Sequence, residues 1–125
     1  MDEKEIKEIA ERYVELLSPY NTYMEALEKV TQKVIEMLAD TESRAILFSI
    51  IRRGKTAAEL SEKHKIPLSS VYKKISDLQE LSLIKVDSWE ISEKGRKYKV
   101  YKSRIKNAEI NIKKPEPVLI LIPNS

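Results

Sequence analysis

Apolar and aromatic residues recur at alternating intervals of three and four along the first part of the chain: Ile6, Ile9, Tyr13, Leu16, Tyr20, Tyr23, Leu27, Val30, Val34 and Met37. That spacing makes the seam of a coiled coil, or of a helix lying lengthwise on a partner. Charged residues fill many positions between, and Glu3–Lys7, Glu8–Arg12 and Glu25–Lys29 have the orientation that favours i, i+4 pairs. Ser18-Pro19 interrupts the run. Proline disfavours helical backbone at the residue before it, and a serine N-cap with proline at the first helical position is an ordinary helix start. The pattern predicts helices over 3–17 and 19–39. One helix kinked at Pro19 is the rival, since the heptad phase survives the break.

Residues 40–83 read as three short helices. Asp40 or Thr41 caps the first, with Ile46, Leu47, Ile50 and Ile51 close to helical spacing, and Gly54 stands where a left-handed C-terminal residue would end it. Thr56 caps the second, with Glu59 completing a capping box and Ala57, Leu60 and His64 turned inward. Ile66-Pro67 breaks the chain. A third helix opens near Ser69 and carries Val71, Ile75, Leu78 and Leu81. Two short helices joined by a tight turn, the second beginning with small polar residues followed by Tyr72, Lys73 and Lys74, form a helix-turn-helix.

The remainder is β-rich. Residues 83–86 and 89–91 predict one strand, Glu93-Lys94-Gly95-Arg96 a turn with positive φ at glycine, and 97–103 a returning strand. A hairpin directly after a recognition helix is a wing. Ile110, Ile112 and 118–122 predict further strands, separated at Pro115 and Pro117, which cannot donate to a ladder. The last strand is expected to complete the sheet. The whole is an α+β chain: 1–39 an N-terminal two-helix or kinked single-helix extension, 40–105 a winged helix-turn-helix, 106–125 a C-terminal β segment.

Charge sharpens this division. The total is +3, from 23 Lys plus Arg against 20 Asp plus Glu. Residues 1–42 hold eleven acids and five bases, net −6, and 43–125 hold nine acids and eighteen bases, net +9. An acidic structural part joined to a basic part implies a polyanionic partner, and counter-ion release makes nucleic acid the natural one. The chain has no cysteine, one histidine and two glycines. Those numbers exclude thiolate and multi-histidine metal sites, a cysteine nucleophile and phosphate-cradling glycine loops, so neither an enzyme nor a cofactor is expected. His64, the one histidine, is read as a partly buried structural residue, and Trp89 as an anchor of the wing on the core. The first ten residues are acidic and polar, unlike a secretory signal, and the longest apolar stretch, 45–51, falls far short of the ~20 residues of a membrane span. A soluble, cytoplasmic protein is the expectation.

The run LADTESRAILFSIIRRGKTAAELSEKHKIPLSSVYKKISDLQELSLI resembles the winged helix-turn-helix of ArsR-type transcriptional regulators, and EKGRKYKVYKSRI resembles the wing of archaeal-type members. The likeness covers about residues 38–105: Leu-Ala-Asp opening the first core helix, Leu60 and Ile66 across the turn, Ser69-Ser70-Val71 beginning the recognition helix, and Leu78, Leu83 and Ile84 leading into the wing. It departs from the family in two places. The cysteine and histidine clusters of metal-sensing members are missing, so metal sensing is not implied. Lys65 stands where the turn usually has glycine, which implies a less sharp turn or a strained left-handed lysine.

A recognition helix places its N-terminal half in the major groove, so Ser69, Ser70, Tyr72, Lys73, Lys74 and Ser76 become candidate contacts to bases or phosphates. The two serines also suit helix capping. Thr56 would meet phosphate through its hydroxyl and the amides of its helix, and Lys94, Arg96 and Lys97 would lie along the backbone or in the minor groove. The N-terminal seam (Ile6, Ile9, Tyr13, Leu16, Tyr20, Tyr23, Leu27, Val30 and Val34) could pack on the chain's own core. Because it precedes a part able to form a core unaided, it is read as a homodimer interface. The leading function is therefore a homodimeric, sequence-specific regulator of double-stranded DNA. The runner-up is a winged-helix protein-interaction subunit of transcription or chromatin machinery that uses the same seam.

Overall fold

The computed structural model describes residues 2–16 and 23–125, with the side chains of 2–12 and 27–125. Five helices precede two antiparallel hairpins: α1 Glu3–Leu16, α2 Tyr23–Ala39, α3 Thr41–Ser49, α4 Ala57–His64, α5 Leu68–Glu80, β1 Ile84–Ile91, β2 Lys97–Ser103, β3 Ile105–Asn111 and β4 Val118–Pro123. The chain is α+β. Whether Ser18-Pro19 breaks or kinks a helix lies outside the described residues.

The N-terminal seam turns inward. Ile9, Val30, Val34 and Leu38 are buried in one cluster with Ile46, Leu47, Ile50, Leu60 and Val71, and Ile6 packs against it. The expected place of Ile9, Val30 and Val34 in a homodimer interface is corrected here, because these three already have apolar partners in their own chain. Leu27 is half-buried, and the side chains of Tyr13, Leu16, Tyr20 and Tyr23 lie outside the described set. Two polar ties fix α1 across the molecule: Arg12 Nη2 donates to Ser82 Oγ at 2.6 Å, and Arg104 Nη2 lies 3.4 Å from Glu5 Oε2.

Asp40 is the N-cap of α3, its carboxylate accepting from Ser43 N at 3.0 Å and Ser43 Oγ at 2.6 Å. The helix ends at Ile50 rather than at Gly54. Gly54 serves a different purpose from the predicted C-cap: a Cβ there would stand 2.7 Å from Val100 Cγ1 and 3.1 Å from Tyr101 O. The glycine lets the loop lie against β2, where Lys55 N and Tyr101 O bond at 3.0 Å and Tyr101 N and Lys55 O at 2.8 Å.

β1 and β2 pair from Ile84↔Ser103 to Ile91↔Lys97, with a bulge between Val86 and Ser88. Gly95 takes the predicted positive φ, 78°, in the connecting turn. β4 does not complete that sheet. It pairs with β3 in a second two-stranded sheet, from Ile105↔Pro123 to Asn111↔Val118. Ile105 and Leu121 carry this hairpin into the core, and Asn124 pins its end by donating to Ile51 O at 2.8 Å and Ser103 O at 2.9 Å.

Candidate nucleic-acid interface

The geometry starts with the cap of α4. Thr56 Oγ1 accepts from Glu59 N at 3.2 Å, and Glu59 Oε1 accepts from Thr56 N at 3.3 Å, a complete capping box. The residue is buried, and its hydroxyl also lies 3.3 Å from Glu59 Oε1. The expected phosphate contact through the Thr56 hydroxyl is therefore corrected: intrachain bonds occupy it. At the other end of α4, Lys65 adopts the left-handed conformation with φ 55° and ψ 45°, as the missing glycine implied. Ser61 ties down the turn beyond it, accepting from Ile66 N on its carbonyl at 3.1 Å and donating Oγ to Ile66 O at 2.5 Å.

α5 starts at Leu68 with Pro67 as N-cap and no side-chain cap bond. Ser69 and Ser70 lie within the first turn and are not caps, a further correction. Proline sets the entry φ itself at −53°, and the N-cap position it takes carries no side-chain acceptor. Val71, Ile75 and Leu78 are buried, while Ser69, Tyr72, Lys73 and Ser76 are all exposed. These four stand at i, i+3, i+4 and i+7, so they share one face of the helix. Ser70 is half-buried beside it.

Lys74 points elsewhere. Its ammonium is 2.8 Å from Asp40 Oδ2 and 3.8 Å from Glu42 Oε1, with only 21% of the side chain exposed. The Lys74 hydrogen bond and those from Ser43 hold the Asp40 carboxyl down at about 2. This base is engaged at the start of α3, which corrects its assignment as a groove contact.

Lys94, Arg96 and Lys97 are exposed at the tip of the β1–β2 hairpin. Ser92 N donates to Arg96 O at 2.8 Å, Gly95 N to Ser92 O at 2.9 Å and Arg96 N to Ser92 Oγ at 3.1 Å, so the turn presenting them is closed. Trp89 does not anchor this hairpin on the core. It is 55% exposed and lies directly opposite Lys99, whose Nζ is 5.7 Å from the ring centroid. Sequence reasoning missed Tyr98 and Lys99. The two-residue period of a strand returning from Gly95 already places Lys97, Lys99 and Tyr101 on one face.

Two groups behind this surface are perturbed by burial. His64 Nε2 is enclosed without a hydrogen-bond partner, and burial, reinforced by Lys63 and Lys55, lowers its pKa and keeps the ring neutral. That fits a structural histidine. Burial likewise depresses the Lys55 ammonium, which donates to Ser49 O at 2.9 Å, with Lys63 and Arg53 adding repulsion. Among the described residues there is no group of three or more His, Cys, Asp or Glu able to hold a metal ion, and no helix long and apolar enough to cross a membrane. Neither a protein-family model nor a curated protein matches the chain.

Proposed function

We propose that the protein is a transcriptional regulator binding double-stranded DNA, with α4 and α5 as a helix-turn-helix of the ArsR-type winged build and the β1–β2 hairpin as its wing. One observation carries the reading: Ser69, Tyr72, Lys73 and Ser76 form an exposed face on the first turns of α5, without a carboxylate, and Tyr72 shares a cleft with Lys97 of the β1–β2 hairpin, whose tip also exposes Lys94 and Arg96. Short hydroxyls, a phenol and an ammonium at helical spacing suit groove edges and phosphates, and the tip bases suit the backbone. Use of a two-fold operator calls for a homodimer. With Ile9, Val30 and Val34 occupied in the core, a second copy would meet apolar side chains outside the seam, such as the exposed Ile112 and Val118.

Selection of bound sequences from a random duplex library, followed by salt titration on the recovered site, tests the proposal. The affinity should fall steeply with salt. Replacing Tyr72 and Lys73 together with alanine should abolish sequence preference. Replacing Lys94, Arg96 and Lys97 with alanine should weaken binding to all sequences alike and flatten the logarithmic salt slope by about 3. No enriched sequence, or no duplex binding at low ionic strength, would sink the reading. Sedimentation with and without the recovered duplex tells one copy from two.

A further inference from the structure

Four of the chain's eight aromatic residues surround a single cleft between α5 and the β1–β2 hairpin. Tyr72, Trp89, Tyr98 and Tyr101 line it together with Lys97 and Lys99, and it encloses about 310 Å³. Its lining includes no carboxylate. Tyr72 and Trp89 are 48% and 55% exposed, an expensive way to keep large rings unless something covers them. Tyr101 is the exception: its ring is buried, and burial, helped by Tyr72, raises its phenol and keeps it a hydrogen-bond donor.

We propose that this cleft takes an unpaired nucleobase, stacked against Trp89 with the flanking phosphates on Lys97 and Lys99. The proposal rests on the DNA-binding reading and refines it toward sites that are bulged, melted or single-stranded. In an intact duplex the π-faces of the bases are covered by their neighbours, so an indole reaches them only where a base has left the stack. Aromatic rings beside a basic track are the arrangement that holds unpaired strands, because every base offers a π-face and every linkage a phosphate. The volume lies at the small end of ligand clefts, about 300–1,000 Å³, suited to one base and too small for a paired step. Charge decides between occupants: two lysines without a carboxylate favour a polyanion over a peptide of mixed charge.

Trp89 is the sole tryptophan, so its fluorescence reports this cleft directly. The purified chain is titrated with an oligothymidylate of about 12 nucleotides, within usual site sizes. It is also titrated with a paired duplex and with the same duplex carrying one extra unpaired thymidine. Quenching by the single strand and the bulged duplex, stronger than by the paired duplex, is the expected result. Trp89→Ala, shown folded by circular dichroism, should weaken strand binding about ten- to hundredfold and erase the preference for the bulge, and Trp89→Phe should restore most of both. Three results would overturn the site: no quenching by unpaired DNA, no preference for the bulge, or equal losses on all three probes in Trp89→Ala. Duplex selection that fails while strand quenching persists removes the regulator reading and leaves this site standing. The reverse pattern removes this site alone.

Discussion

Two antiparallel hairpins follow one another in the chain, each with a bulge near its open end, at Val86/Ser88 in the first and Ile105/Asn107 in the second. In the first, only the base enters the protein. Ile84, Val100, Tyr101 and Ser103 are buried, and every residue from 93 to 99 is exposed. The second has Ile105 and Leu121 in the core with Ala108 and Leu119 packed against it. Position in the strand explains the difference. The bases and aromatics of 94–99 have no apolar face to offer the core, whereas the β4 sequence VLILIP has little else. A hairpin that contributes so little to folding at its tip is open to selection for what it touches outside the chain. The second hairpin is committed to the core at its base.

The largest test of this contrast is on stability. Ile105, fully buried, should lose about 2–5 kcal/mol as Ile105→Ala, from the lost transfer energy and the cavity left behind. Ile91 in the first hairpin is 69% exposed, and Ile91→Ala should stay within about 0.5 kcal/mol. Urea denaturation of both variants measures the gap. Equal losses would show that the first hairpin is as much a part of the core as the second, and the contrast would collapse.

Much of this architecture is legible in the sequence, and the failures share one cause. Periodicity locates the helices, and Gly95 with its flanking alternation locates the first hairpin, because both signals are local. Periodicity also reveals an apolar face on α1 and α2, but a period does not say what covers that face. The seam of Ile9, Val30 and Val34 reads identically whether the partner is another chain or the chain's own core. Lys74 looked like a groove base because Asp40, 34 residues earlier, is invisible as its partner from spacing alone. Gly54 gave the signal of a helix end while its real constraint is Val100, on a strand far along the chain. Trp89 reads as an anchor of the wing because strand alternation does not say which face of the hairpin the core covers. Its register opposite Lys99 places it outside.

The next test probes the point where the first hairpin stops being independent. Gly54→Ala would place a methyl 2.7 Å from Val100 Cγ1 and 3.1 Å from the Tyr101 carbonyl. Valine can shift, but the carbonyl oxygen is held by its bond to Lys55 N. The loss should be about 1–3 kcal/mol, as for overpacking elsewhere. Hydrogen exchange at Tyr101 N, bonded to Lys55 O, should quicken. Unchanged stability would mean that β2 moves away at no cost, so that the hairpin would be loosely held even at its base.

The same division between engaged and outward-facing bases separates two neighbours on α5, and acid sharpens it with the smallest effect. Lys73 is exposed, whereas Lys74 is bound to Asp40. The folded-state pKa of Asp40 is about 2 against the ordinary 3.8, so the unfolded chain takes up the proton first as pH falls. The stability it contributes is therefore complete above about pH 4 and is lost as pH drops through about 2. The Asp40 side chain is 43% exposed, so solvent screening reduces the contribution to about 1 kcal/mol. Asp40→Asn should cost about that much at neutral pH and match the unaltered protein near pH 2, as read from denaturation midpoints across the acid range. Breaking the pair also frees the Lys74 ammonium beside the surface proposed to meet DNA. If that base then reaches a phosphate, the salt slope for duplex binding steepens by about 1. A variant that loses the acid dependence without steepening the slope would place Lys74 beyond reach of the backbone, leaving Lys73 as the base that α5 presents.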